Sequence, residues 1–148
     1  MLLQDGIQIY APSAKVFIFF QEMAENYVPW HPDHHEFCWI DGEAVEVGHI
    51  FAFKETINGH QQDKAMRFIE VERNRLLAFE PVNWFVRLLM PRLSFEIKPI
   101  DEQSCRFIAK IHLRVGPLAQ RLNAKEFNAV RQHMKEEGQN LKQMVEAR

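Results

Sequence analysis

Alternation of apolar and polar positions runs through most of the chain and gives way only twice to a helical period. Gly6 to Tyr10 alternates as a short strand. Ala11-Pro12-Ser13 ends it, with Ser13 placed to cap a helix over Ala14 to Met23. Tyr27 to Asp33 reads as a structured loop, because Pro29 and Pro32 bracket Trp30-His31 and each proline fixes its own φ and restrains its predecessor. From there, strand patterns and turn signals follow one another. The strands are His35 to Ile40, turned at Asp41-Gly42; His49 to Ile57, turned at Asn58-Gly59; Gln62 to Glu72; Leu76 to Pro81; Arg92 to Pro99; and Cys105 to Val115.

Consecutive hairpins predict an antiparallel meander. Leu93, Phe95 and Ile97 oppose Ser94, Glu96 and Lys98, while Phe107, Ala109, Ile111 and Leu113 oppose Arg106, Lys110, His112 and Arg114, so one face of the sheet is covered. The cover comes at the end of the chain. Gly116-Pro117 breaks the last strand, Asn123 to Glu126 fits a capping box, and Phe127, Val130, Met134, Leu141 and Met144 recur at helical spacing within Phe127 to Val145. The expected architecture is α+β: about seven antiparallel strands curved around a long C-terminal helix, with a cavity between them. The segment Pro81 to Pro91 is apolar and bracketed by prolines; it reads as a lid, a homodimer contact or a connection packed over the cavity mouth, the last being favoured.

Composition narrows the classes. The 148 residues suit one domain, 1–148. A net charge of −2 gives no general pull toward nucleic acid or anionic lipid, and no apolar run approaches the ~20 residues that span a bilayer. The opening MLLQDGIQIYAP lacks the basic and apolar regions of a signal peptide, so a cytoplasmic protein is expected. Cys38 and Cys105, far apart, read as free thiols without a chemical role. The 12 Phe and 3 Trp fill a core or line a cavity for a flat hydrophobic ligand equally well; Trp39, Phe51, Phe53 and Phe95 are the candidates for its wall.

Three features carry chemistry. His133 and Glu137 stand one turn apart on the last helix, on the stripe that holds Val130 and Leu141, and an imidazole with a carboxylate makes half of a metal site or an ordinary exposed pair. Glu55 shares the aromatic side of its strand with Phe51 and Phe53. There it is either an inward acid in need of a cation or a rim residue open to water. Trp30-His31-Pro32-Asp33-His34-His35 places three imidazoles on a proline-braced segment, as ligands or as a polar surface loop. Taken together, they supply imidazoles and carboxylates that converge on one cavity.

The order of one strand, one helix, six strands and a long helix resembles the START-like (SRPBCC) superfamily over the whole chain. Within it, the WHPxH-type loop, the Glu on the third strand and the HxxxE pair on the last helix resemble the metal-binding set of the diacetylphloroglucinol hydrolase and phloretin hydrolase family. That resemblance implies a zinc-dependent hydrolase that cleaves a carbon–carbon bond between an acyl group and a phenolic ring. It implies Glu55, His133 and Glu137 as ligands with either His31 or His34; His35, sharing parity with Phe37 and Trp39, is a third candidate. Tyr27, His60 and His112 are candidates to hold the phenol, although alternation points His112 outward, and Asp33 or a spare histidine such as His60 would supply a proton. The rival expectation is a carrier that holds a hydrophobic small molecule in the same cavity without turnover.

Overall fold

The computed structural model describes residues 1–148. Its elements run β1 (Leu2–Ile9), α1 (Ser13–Gln21), α2 (Met23–Trp30), β2 (His34–Asp41), β3 (Ile50–Ile57), β4 (His60–Glu72), β5 (Leu76–Pro81), α3 (Trp84–Leu89), β6 (Arg92–Asp101), β7 (Ser104–His112), α4 (Pro117–Leu122) and α5 (Ala124–Glu146). The strands form one antiparallel sheet in the order β1-β7-β6-β5-β4-β3-β2, which confirms the expected meander, with β1 returning to pair the last strand. Bulges at His34/Glu36, Phe68/Glu70 and Pro99/Asp101 each add a residue to one strand, and such bulges bend a sheet. Asn58 and Gly59 both take positive φ, 53° and 76°, the conformation that the Asn-Gly turn of a tight hairpin demands.

The concave side is filled by α5. Its stripe of His133, Met134, Gly138, Leu141 and Val145 is buried, and the helix packs chiefly on β1. Leu3, Ile9, Phe19, Leu77, Ile97 and Leu141 form the driest part of the core. No helix is long and apolar enough to cross a membrane.

Several sequence-based boundaries are corrected. The supposed loop from Tyr27 is helical as far as Trp30, because Pro29 lies near the end of α2, where its missing N–H costs only one closing bond. Pro32 is the true breaker. It holds His31 extended (φ −150°, ψ 142°) and ends the helix there. Ser13 does not cap α1: Pro12 occupies that place, and no side chain makes the bond. The Asn123–Glu126 capping box does not form either. Asn123 donates to the Ala119 carbonyl and Glu126 accepts from Asn58. The short helices α3 and α4 have too few residues to show a helical period.

Leu141, fully buried between α5 and the sheet, should report the strength of this closure. Leu141→Ala is expected to cost about 2–5 kcal/mol in urea unfolding. Gln143→Ala, on the exposed side of the same helix, should stay within about 0.5 kcal/mol.

Candidate functional site

Between sheet and helix lies a cavity of about 360 Å³, walled mainly by apolar side chains, among them Trp39, Phe51, Phe53, Phe95 and Tyr27, the five residues expected from the sequence to line it. Aromatic contacts knit this wall together: Phe51 stacks on Phe37 at 5.6 Å and meets Phe79 edge-on, and Phe95 stacks against Phe20 at 4.9 Å. Polarity is concentrated around Glu55, Lys64, His133 and Glu137, all of which line the same cavity.

His34 enters this cluster because of the β2 bulge. His34 pairs with Glu55 and Glu36 with Lys54, leaving His35 as the extra residue. The bulge reverses the simple alternation, so His34 turns in and is buried, while His35 turns out and contacts the Thr56 hydroxyl at 2.6 Å. The ring of His34 is fixed on every side. Tyr27 stacks on it at 4.0 Å, nearly parallel, and Nδ1 donates to the Tyr27 carbonyl at 2.8 Å. A carbonyl only accepts, so Nδ1 carries the proton and the unprotonated edge of a neutral ring is Nε2. That atom lies 2.8 Å from Glu137 Oε2 and 4.0 Å from Glu55 Oε2.

His31 is buried close by, yet both of its nitrogens are engaged elsewhere. Nδ1 accepts from the Asp33 N–H at 2.9 Å, which puts the proton on Nε2, and Nε2 donates to Glu136 at 3.0 Å. Of the three candidate imidazoles on this segment, His34 alone therefore joins the two glutamates and His133. From α5, His133 Nε2 stands 3.4 Å from Glu55 Oε2 and 3.5 Å from Glu137 Oε2, and it is buried without a hydrogen-bond partner. Trp30 locks the register by donating from Nε1 to the Glu137 carbonyl at 2.8 Å, with Asn140 returning a bond to the Trp30 carbonyl.

One donor atom each from His34, Glu55, His133 and Glu137 falls in a group within 4.8 Å of one another. The four imidazole–carboxylate distances bracket the ~3.3 Å expected between neighbouring ligands of a tetrahedral ion with bonds of about 2.0–2.1 Å. The unpartnered Nε2 of His133 and the fixed tautomer of His34 both fit an ion at the centre. The hydrogen bond from His34 Nδ1 to a carbonyl is the outer contact that metal-bound histidines ordinarily make.

Three other expected residues lie apart from the cluster. His60 is exposed beside Gly59 at the tip of the β3–β4 hairpin, beyond the end of the cavity. Asp33 acts through its backbone, donating to His31 and accepting from the Thr56 N–H, and its side chain does not line the cavity. His112 pairs with Leu2 and Arg92 and is likewise absent from the wall, as alternation indicated. The residue missed from sequence is Lys64. It sits opposite Phe53 and reaches Glu55 Oε1 at 3.3 Å; its parity with Met66 and Phe68 was the available signal.

Electrostatics follow from this packing. Burial pushes the Glu137 carboxyl upward, but His133 and His34 outweigh it and hold the group at about 2. Burial opposes charge on Glu55 as well, and His133 and Lys64 overcome it, leaving its pKa below the usual range. For His133, burial acts downward and the Glu137 and Glu55 carboxylates act upward, raising it to about 10. Burial and the two nearby carboxylates push the Tyr27 hydroxyl up, so it stays a neutral donor; it too is buried without a partner.

A pH profile of the metal-free protein follows with a definite sign. The stability from charged His133 is complete below its ordinary 6.5 and is lost as pH climbs through about 10; that from ionised Glu137 is complete above 4.5 and is lost as pH falls through about 2. Thermal melting should therefore be highest between roughly 4.5 and 6.5 for this cluster's contribution, and His133→Gln should flatten the alkaline decline. An unchanged alkaline limb in that variant would remove His133 as its source.

No family model matches the chain, and no curated protein is similar to it in sequence. Solved structures do match in shape. The Zhui aromatase/cyclase from Streptomyces sp. R1128 superposes with a TM-score of 0.79 at 11% identity, over 100% of this chain and 94% of that one. TTHA0849 from Thermus thermophilus gives 0.77 at 13% identity, over 99% and 98%. Norcoclaurine synthase from Thalictrum flavum, in complex with dopamine and hydroxybenzaldehyde, gives 0.74 at 12% identity, over 98% and 86%. Likeness at such identities extends to the fold and not to the chemistry, and none of these three bears the name of a diacetylphloroglucinol or phloretin hydrolase; the chain has the helix-grip (START-like) fold.

Proposed function

We propose that this chain binds a small aromatic molecule bearing ketone or phenol oxygens, of the polyketide or acylphenol kind, with those oxygens directed at the polar end of the cavity. The observation that carries this reading is the division of the cavity itself: an aromatic wall on most sides, and Glu55, Lys64, His133 and Glu137 gathered in one region. Its volume of about 360 Å³ falls within the range of small-ligand sites. The like-folded proteins give support, one being named an aromatase/cyclase and another solved with two small aromatic compounds. Lys64 and the neutral Tyr27 hydroxyl supply donors for ligand oxygens, and the stacked phenylalanines hold the ring flat.

A second reading has an observation of its own. The unpartnered His133 Nε2, the fixed His34 tautomer and the two carboxylates support a divalent ion, zinc first, and with it a hydrolase acting on carbon–carbon bonds of acylphenols. Bound there, the ion would supply Lewis acidity toward a carbonyl oxygen and lower the pKa of a water. The chain's own part is to hold the ring against the Phe wall, to keep bulk water out, and to fix the donor atoms through Tyr27, Trp30 and Asn140.

Protein purified without a metal-affinity tag should quench its tryptophan fluorescence on titration with a diacylphenol, because Trp30 and Trp39 line the cavity. Phe51→Ala and Phe95→Ala should weaken binding several-fold, and no quenching with any acylphenol would sink the binding reading. Zinc should add one equivalent, release protons, and fail to bind His133→Ala/Glu137→Ala. Acylphenol binding without zinc uptake leaves the carrier; zinc uptake with hydrolysis of the acylphenol establishes the enzyme.

A further inference from the structure

We infer that α3 and α4, with the chain around them, form a face that docks on an anionic lipid surface. Neither helix contains a buried residue. Trp84 is 66% exposed, Phe85 58%, Leu118 70% and Leu122 76%, with Leu88 also open to solvent. A helix ordinarily exists in a fold because it buries an apolar stripe, and these two leave theirs outside. Leu118 and Leu122, four residues apart, share one side of α4. Nor is α3 frayed: Asn83 Oδ1 accepts from the Phe85 and Val86 N–H groups at its start, and the Leu89 carbonyl accepts from Arg114 N–H at its end. That last bond ties α3 to the segment that leads into α4.

Charge identifies the partner. No Asp or Glu lies between Glu80 and Glu96, nor between Glu102 and Glu126, although the whole chain is net negative at −2. Those same stretches carry Arg87 within α3 and Arg92 just after it, and Arg114, Arg121 and Lys125 in and around α4. Arg87 and Arg92 have only long contacts, 3.7 Å to Glu80 and 3.5 Å to Glu70, and the other three cations pair with no carboxylate. A second copy seated on this face would set the same cations against themselves, since a two-fold contact pairs a patch with itself. A nucleic acid would leave Trp84, Phe85 and the leucines unsatisfied. An anionic bilayer takes both, with aromatic and leucine side chains at the acyl boundary and arginines at the headgroups.

The site also borders the cavity. Val86 and Leu89 belong to its lining and are exposed, so they mark where it opens to solvent. A hydrophobic ligand dissolved in the bilayer would then enter without crossing water. This consequence rests on the ligand reading above; the docking does not.

The full chain should sediment with vesicles of phosphatidylcholine containing one-third phosphatidylserine and far less with phosphatidylcholine alone. Trp84 is the exposed indole of the three, so its emission should shift to the blue on binding, and Trp84→Ser/Phe85→Ser should abolish the shift and lower partitioning by roughly tenfold or more. Arg121→Gln and Lys125→Gln should each lower it about fivefold. Unchanged melting temperatures would confirm that these exposed variants fold. Failure to sediment with the anionic vesicles, equal binding to both vesicle types, or full binding by Trp84→Ser/Phe85→Ser would each overturn the inference. So would a concentration-dependent dimer abolished by that same pair, which would assign the face to a second copy.

Discussion

Two carboxylates cannot share a buried apolar pocket unless positive charge lies between or beside them. Glu55 and Glu137 are in that position, one on the sheet and one on the helix that fills its concave side. Unscreened, two such charges in a medium of low dielectric would drive the helix from the sheet or force one group to take a proton. Lys64 meets Glu55 Oε1, and His133 and His34 lie against Glu55 Oε2 and Glu137 Oε2. The closure of α5 on the sheet and the chemistry of the site are therefore one problem. Neither can change without the other, because His133 belongs to the same buried stripe as Met134, Gly138 and Leu141, and the half-buried Glu137 stands beside it.

Precision comes from the surroundings. His34 is reached through a bulge, clamped by the Tyr27 ring and oriented by the Tyr27 carbonyl, while α2 is tethered to α5 by two bonds between Trp30 and the Glu137–Asn140 turn. Both residues that do this orienting come from α2, and Pro32 ends that helix where His31 must turn extended. A proline two positions before His34 thus determines how the imidazole is presented.

Much of this is legible in the chain because the fold is dominated by short-range signals. Asn58-Gly59, the alternating strands and the apolar stripe of the last helix each have one physical reading, and they assemble into the observed sheet and helix. Glu55, His133 and Glu137 were accessible for the same reason, since parity on a strand and spacing on a helix state which way a side chain points. The first histidine was not accessible that way. Parity favoured His35, and a bulge, which depends on pairing with Glu55 and Thr56, inverted it. Lys64 was overlooked although its parity was plain, because a lysine within a strand of alternating charges reads as solvent-facing. Pro29 misled in the opposite sense: a proline forbids a helix that continues past it and tolerates one that is about to stop. The apolar faces of α3 and α4 were hidden for another reason, since exposure belongs to the fold and six residues carry too little period to show it.

The two readings of the site differ in what supplies the compensating charge. Without a metal, charged His133 and Lys64 offset Glu55 and Glu137, and His34 Nε2, 2.8 Å from the ionised Glu137, must donate to it as well. With a divalent ion, His133 must give up its proton to act as a ligand, and the ion together with Lys64 exceeds the two carboxylates by one positive charge. The metal-loaded cluster favours a phenolate or enolate, because the ligand itself completes the neutralisation. The preferred ionisation state of the ligand is thus a property of the whole charge set, and Lys64, which binds no metal on either reading, fixes its sign.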